Sequence, residues 1–581
     1  MKFFKIFCHG WQKSHYHLHM NQLQFAIYSA GDAYSTSNKI MGRQSAGTSF
    51  IKGIAKSYFN QPSAALGPSQ ASGHSLLAQL QADGFQSQLK WSTLPNLTMA
   101  KAVGTLYYPA PPLKELAYTR NLENPAAFSI MGVTHTLSSA GAMDQISDLI
   151  LPPFQPWDAL ICTSTAAQTM VRQLQSEVED YWREHTGATK FVKPQTPVIP
   201  LGVNAADFAS TPEQKLDARH FFQIADNCVV FLFSGRLSFH AKANPIAMYQ
   251  ALEKTAKNHK VVCIEAGLFP NEPVQKAYQD AQKAIAPNVQ FIWANGQDSS
   301  AFQNAWRAAD VFISLADNIQ ETFGLTPIEA QAAGLPVVVS DWNGYKDTVN
   351  HGVDGFKIPT LAPPPGAGKE LALKHALGID TYDFFIGRTS LATAVEHVPL
   401  EQALNDLASQ PALRQQMGVQ GRAKVLAKYD WSVVLQQYNH LAHELNELRT
   451  YKIKEGPAKP QNWPQRADPF ERFELFSTRR LHEEMRLVVP NHLTAQTFEQ
   501  KLQGLLGLTM TVYPFNKDPG QVELLKKLGA ILIQHCQESQ TTTLLEIQAK
   551  LHQAGLLIGN AQFKACICWF IKFDLIQAIE A

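Results

Sequence analysis

The densest set of residues able to do chemistry lies between positions 231 and 355. Its centre reads Glu321-Thr-Phe-Gly-Leu-Thr-Pro-Ile-Glu329-Ala-Gln-Ala-Ala-Gly334-Leu-Pro336-Val-Val-Val-Ser340. The pattern predicts loop, helix, turn and strand. Thr326 can cap the helix and Pro327 suits its first position. Gly334 ends it, and Pro336 blocks continuation. The free amides near Gly324, Leu325 and Thr326 would then face the loop, where the helix dipole favours an anion. Gly324 admits close backbone approach to a ligand. The two glutamates also have a structural reading. Thr326-Pro-Ile-Glu329 is itself a capping box, in which Glu329 would bond only its own helix start. Glu321 would then be a solvated loop acid. Upstream, Phe233-Ser234-Gly235-Arg236-Leu237 reads as a strand end and glycine turn, with Lys242 six positions after Arg236. An Arg fork beside a Lys point charge suits a diphosphate in a water-poor site. The alternative is a surface basic pair.

These residues need a scaffold, and the chain carries its pattern. Short apolar runs alternate with longer amphipathic stretches, the signature of βα units and parallel sheets. Candidate buried strands lie at 24–29, 159–163, 229–234, 261–265, 289–293, 311–314 and 336–340. Several are almost wholly apolar, as strands covered on both faces are. Two such regions are expected, at about 24–200 and 227–361, with a Pro/Gly break at 363–368. Trp431, Leu435, Tyr438, Ala442 and Leu445 repeat at helical spacing. Residues 454–466 hold three prolines and three basic residues, which reads as a linker. The remainder is helical in pattern, with a capping box opening at Thr543 and closing at Glu546.

The length of 581 residues implies two large domains plus an extra piece. Apolar content of 45% against 17% charged is globular. Fifty basic and 49 acidic residues nearly cancel, so no global field attracts nucleic acid. Seven scattered cysteines without a CxxC fit a reduced compartment. No stretch is long and apolar enough to span a membrane. No P-loop, HExxH or GxSxG motif occurs. His15, His17 and His19 alternate near Cys8 and His9, which reads as an exposed segment rather than a metal site.

The 321–340 run closely resembles the donor signature of glycosyltransferase family 4, a retaining family with the GT-B fold. That resemblance implies two Rossmann-like domains facing across a cleft. It implies that Glu329 holds the donor ribose hydroxyls, that Glu321 sits by the transferred sugar, and that the backbone of Phe323, Gly324, Leu325 and Thr326 holds sugar and phosphate. Gly235, Arg236 and Lys242 resemble the family's glycine-arginine turn and its lysine, although Ala243 stands where members usually have Gly. Val198-Ile-Pro200-Leu-Gly202 resembles the hinge-side segment, and Trp157-Asp158 opens what resembles the last strand of the first domain. Gly132-Val-Thr-His135 resembles the acceptor-side strand end, which would bring His135 to the donor sugar. Met41 to Gly47 would be the glycine-bearing loop after the first strand, with Gly42 facing the phosphate. Ala266-Gly267 and Trp293-Ala294 occupy places where the family holds the base.

The expectation is therefore an α/β chain of two facing Rossmann-like domains plus a mainly helical appendage. Its parts are a first domain at 1–200, a donor domain at 201–430, a crossover helix at 431–450, a linker at 451–467 and the appendage at 468–581. The resemblance implies a metal-independent, hexosyltransferase-type enzyme without a cofactor. It would move sugar from a nucleoside diphosphate sugar to a saccharide or lipid-linked acceptor, as in polysaccharide biosynthesis. It would work in the cytoplasm, with peripheral contact at the inner membrane face left open. An epimerase or hydrolase on the same fold, and a non-catalytic nucleotide-sugar scaffold, are the alternatives.

Overall fold

The computed structural model describes residues 22–34, 42–456, 459–513 and 519–579. The N-terminal Cys8, His9, His15, His17 and His19, and Met41, lie outside the described residues. Two compact units emerge, Met1–Trp463 and Pro464–Ala581.

The first unit holds two six-stranded parallel sheets. Strands β1 (Ala26–Tyr28), β2 (Ser63–Gly67), β3 (Leu89–Thr93), β4 (Thr105–Tyr108), β5 (Ser129–Val133) and β6 (Ala159–Ile161) take the order β3-β2-β1-β4-β5-β6. Strands β7 (Cys228–Ser234), β8 (Lys260–Gly267), β9 (Gln290–Asn295), β10 (Val311–Ser314), β11 (Val337–Ser340) and β12 (Gly355–Ile358) take the order β12-β11-β10-β7-β8-β9. Both are the doubly wound order, whose direction reverses beside the first strand. Ligands of such sheets bind outside the carboxyl ends of the strands at that reversal. In the second sheet the reversal lies between β7 and β10, which pair Phe231 with Val311 and Leu232 with Phe312. The loops leaving those strands carry Arg236 and Glu321.

The apolar runs explain the central strands. Every residue of β10 and β11 is buried, since helices cover both faces of a parallel sheet. Sequence pattern did not mark β2, β3, β4, β5 or β12 as strands. β2 is small residues apart from Leu66, and β3, at the sheet edge, buries only Ser92.

The helix expected at Trp431 runs Trp431–Glu455 and returns to the first sheet. Trp431, Leu435, Tyr438, Ala442 and Leu445 share one core with Phe25, Ile27, Phe50 and Tyr107. Close packing fixes the crossing. A Cβ on Gly53 or on Gly202 would lie 2.5 Å from Trp431 carbons. Asp430 caps the helix, accepting from the Ser432 amide at 3.0 Å. The stretch 451–467 begins inside this helix. Residues 461–463 then lie against the first sheet's helices, with Trp463 stacked on Tyr118 at 4.6 Å and the Gln461 amide donating to Asn121 at 2.8 Å.

The second unit is small and mainly helical. Helices Ala495–Leu506, Pro519–Ser539, Leu544–Gln553 and Asn560–Lys572 enclose a core including Phe498, Leu528, Ile547, Ile567 and Phe570. A three-stranded antiparallel sheet accompanies them, with Arg486–Val488 between Thr542–Thr543 and Gln577–Ile579. The capping box forms as expected. Thr543 accepts from the Glu546 amide, and Glu546 accepts from the Thr543 amide at 2.8 Å. No described helix is long and apolar enough to cross a membrane.

Candidate functional site

The second sheet brings the Arg236 and Glu321 loops together. After β7 the chain turns at Gly235, and β8 passes so close that a Cβ on Gly267 would lie 1.8 Å from the Gly235 carbonyl oxygen. Arg236 donates through Nη2 to the Gln320 side chain at 2.9 Å and to the Ala241 carbonyl at 3.3 Å. Lys242 forms an ion pair with Glu321. Asn318 braces the junction, donating to the His240 carbonyl at 2.6 Å and accepting from the Gln320 amide at 2.8 Å. Ala243, in place of the usual glycine, is buried in the core beneath this loop.

The helix beyond Glu321 starts earlier than its sequence suggests. It spans Leu325–Ala332, and its N-cap is Gly324, with φ of +85° and no side-chain cap. Thr326 is therefore the second helical residue and Pro327 the third, not cap and first residue. The capping box proposed for Thr326 and Glu329 does not form. Gly324 is required twice over, by its left-handed backbone and by Tyr345, whose Cε1 lies 2.0 Å from where a Cβ would stand. Phe323 and Ile328 anchor the helix in the core shared with Trp431, each contributing roughly 1.5–3 kcal/mol by burial. With no side chain spent on capping, the first amides remain directed at the loop, the arrangement that binds anions.

The two glutamates have opposite electrostatics. Burial raises the pKa of Glu321, but Lys242 and the amides of Phe323 and Thr322 outweigh it, so the carboxyl sits below the usual range. The carboxyl of Glu329, the fifth residue of that helix, has no hydrogen-bond partner among the described residues. Burial pushes it up to about 7, and the more distant Lys242 only partly offsets this. Glu321 is thus held ionised by its partner, whereas Glu329 has none and is half-protonated near neutral pH.

The first sheet contributes His135, two residues beyond β5. Its carbonyl accepts from the Thr322 hydroxyl, and the Thr322 carbonyl accepts from Ser164 at 2.8 Å. The structure thus places His135 beside the Glu321–Gly324 loop. The ring donates from Nε2 to the Pro109 carbonyl at 3.0 Å. Burial lowers its pKa to about 4, which keeps it neutral near pH 7. Trp293 donates to the Gly267 carbonyl at 3.0 Å and is 45% exposed, while Ala294 is buried. Both lie on β9, the edge strand that pairs with β8. Gly42 differs from expectation. It is the first residue of the helix Gly42–Ser57, and Gly47 lies a turn later, pressed against the Ala33 carbonyl. Gly47 faces Ala33 and Tyr34, and with Arg43, Pro109 and His135 it lines a small cavity.

Sequence reading missed Asn318 and Gln320, which carry no motif and matter only because the two loops meet. It also missed Tyr382, whose hydroxyl reaches the first domain. No group of three or more His, Cys, Asp or Glu among the described residues could hold a metal.

Residues 215–363 match the family model for glycosyl transferases group 1. The chain is 33% identical over 177 residues to a D-inositol 3-phosphate glycosyltransferase of Geodermatophilus obscurus, covering 29% of this chain and 38% of the relative. It is 27% identical over 168 residues to the lipopolysaccharide 1,2-N-acetylglucosaminetransferase of Salmonella typhimurium, covering 28% and 42%. The chain thus spans about two fifths of the length of these curated relatives. Among solved structures, Anabaena HepE with UDP overlaps 74% of this chain and 100% of its own, at 16% identity and a TM-score of 0.45.

Proposed function

We propose, for a chain whose residues 215–363 match the family model for glycosyl transferases group 1, that the protein transfers a sugar from a nucleoside diphosphate sugar to an acceptor with retention. One observation carries this reading. The uncapped start of helix Leu325–Ala332 lies between an ion-paired Glu321 and an unbonded Glu329. Such a site offers amides and cations to a diphosphate and carboxylates to hydroxyls.

In the proposed reaction the bond between the anomeric carbon and the phosphate oxygen breaks, and its electron pair stays on the diphosphate. Arg236, Lys242 and the helix amides stabilise that developing charge, which is where preorganised donors act most strongly. The acceptor oxygen bonds the anomeric carbon on the same face, and its proton passes to the departing phosphate. Glu321 orients the sugar through its hydroxyls, Glu329 the ribose, and neutral His135, from the acceptor-side domain, approaches the donor sugar. Phe323, Gly324, Leu325 and Thr326 hold the phosphate by backbone, and Trp293 and Ala294 border the base. Two cations and a helix dipole do the work of a divalent metal, so no metal or other cofactor is needed.

The acceptor is read as a saccharide or lipid-linked saccharide, and the setting as the cytoplasm or the inner membrane face. The names of the relatives, one acting on an inositol phosphate and one in lipopolysaccharide synthesis, support a hydroxylated acceptor. The test is calorimetry with UDP-, GDP- and ADP-sugars, followed by release of nucleoside diphosphate with and without acceptor. Acceptor-dependent release supports transfer. Acceptor-independent release identifies a hydrolase, and binding without turnover identifies a scaffold.

A further inference from the structure

Between two short strands, Thr360–Leu361 and Ala394–Val395, which pair antiparallel, the donor domain makes an excursion of two helices, Lys369–Ala376 and Tyr382–Leu391. The excursion is packed onto the Arg236 loop. A Cβ on Gly387 would touch His240 at 3.2 Å. Thr381 caps the second helix, and Asp380 is ion-paired with Arg388, Nε lying 2.9 Å from Oδ2, and accepts from its Nη2 at 3.3 Å. Tyr382, the first residue of that helix, is thereby held in place. Its hydroxyl reaches the other domain, 2.7 Å from the Ser138 hydroxyl and 3.1 Å from that of Thr136. Thr136 and Ser138 are 3.3 Å apart, so the three hydroxyls close a ring.

The place of this ring is informative. Thr136 follows His135 directly, at the carboxyl end of β5, where open α/β sheets bind ligands. The segment is gripped at His135 by Thr322 of the donor loop and at Ser138 by Tyr382 of the excursion. The donor domain thus meets the first domain at the end of β5 through two separate contacts. The chemistry is equally specific. Each hydroxyl has one proton and two lone pairs. Three contacts consume three protons and three lone pairs, which leaves one lone pair on each oxygen. Turning one proton outward converts the ring to a donor as well. Thr136 and Tyr382 are only half-buried, so a ligand can reach them.

We infer that Thr136, Ser138 and Tyr382 form a subsite for vicinal hydroxyls of a polyol acceptor, assembled from both domains. The inference rests on the transferase reading above, and the experiment separates the two. Full-length protein is titrated first with UDP, GDP and ADP. Failure to bind any of them overturns the transferase reading itself. The diphosphate-loaded protein is then titrated by saturation-transfer NMR with methyl glucoside, methyl N-acetylglucosaminide and myo-inositol, and with their monodeoxy analogues. Wild type is expected to bind at least one probe. Tyr382→Phe, which keeps the ring and its packing, is expected to weaken that probe about three- to tenfold, the loss of one hydrogen bond. Its diphosphate affinity is expected to stay unchanged. One deoxy analogue loses the same factor in wild type and nothing further in Tyr382→Phe, a non-additivity that a structural role would not produce. Three outcomes each overturn the subsite: no probe binding to loaded wild type, equal probe binding by wild type, Tyr382→Phe and Ser138→Ala, or weakened diphosphate binding in Tyr382→Phe.

Discussion

Glu329→Gln separates a ligand-binding carboxylate from a helix cap, because the two roles move stability and affinity in opposite directions. The carboxyl is unbonded among the described residues, and burial raises its pKa from 4.5 to about 7. Between those values the folded protein holds a proton that the unfolded chain has released. Stability from this group is therefore complete below pH 4.5 and is lost as pH rises through about 7. At 1.36 kcal/mol per pH unit the penalty is at most about 3 kcal/mol, and solvent in the cleft reduces it to about 1–2 kcal/mol. Glutamine never ionises. The variant is expected to be more stable than wild type at pH 8 by about that amount, with the difference gone at pH 4. Affinity moves the other way. Two charge-assisted bonds to ribose hydroxyls contribute roughly 1.5–3 kcal/mol each, so losing their charge weakens nucleoside diphosphate at least about tenfold. In wild type, affinity rises with pH through about 7 as Glu329 ionises, whereas the variant shows no such rise. Urea denaturation at the two pH values and calorimetry across pH 6–8 measure all three effects. A variant less stable at pH 8 with unchanged affinity would refute the argument and return Glu329 to a structural role.

Three further outcomes follow from the same geometry. Glu321→Gln is expected to lower turnover about 10- to 100-fold while leaving nucleoside diphosphate affinity within about twofold, because Lys242 keeps its charge for the phosphates; steady-state rates beside calorimetry test this, and an equal loss of diphosphate binding would contradict it. Activity is expected to survive chelation, since in the proposed site Arg236, Lys242 and the helix start supply the positive charge for the diphosphate; loss with chelator and recovery with manganese would count decisively against it. A chain ending after Trp463 is expected to fold and bind nucleotide with wild-type affinity, because Trp463 and Gln461 still pack on Tyr118 and Asn121; a folded truncation that binds no nucleotide would disprove that independence.

The sequence alone determined the fold class, because buried parallel strands must be apolar throughout and a returning helix must present Trp431, Leu435 and Tyr438 on one stripe. It also determined which chemistry could occur at Arg236, Lys242, Glu321 and Glu329, because side-chain charge and a glycine's freedom are local properties. It misread the start of the helix at Gly324. Thr326 and Pro327 are good local signals for a cap, but Tyr345, distant in sequence, fills the space where a Cβ at position 324 would stand and selects an earlier glycine start. It could not find Asn318, Gln320 or Tyr382, whose significance is a set of distances between loops and not a pattern along the chain. Only the tertiary structure decided that Glu321 is paired and Glu329 is not. A carboxylate's ionisation and bonding depend on what the fold packs around it, and that information is absent from the order of residues on either side.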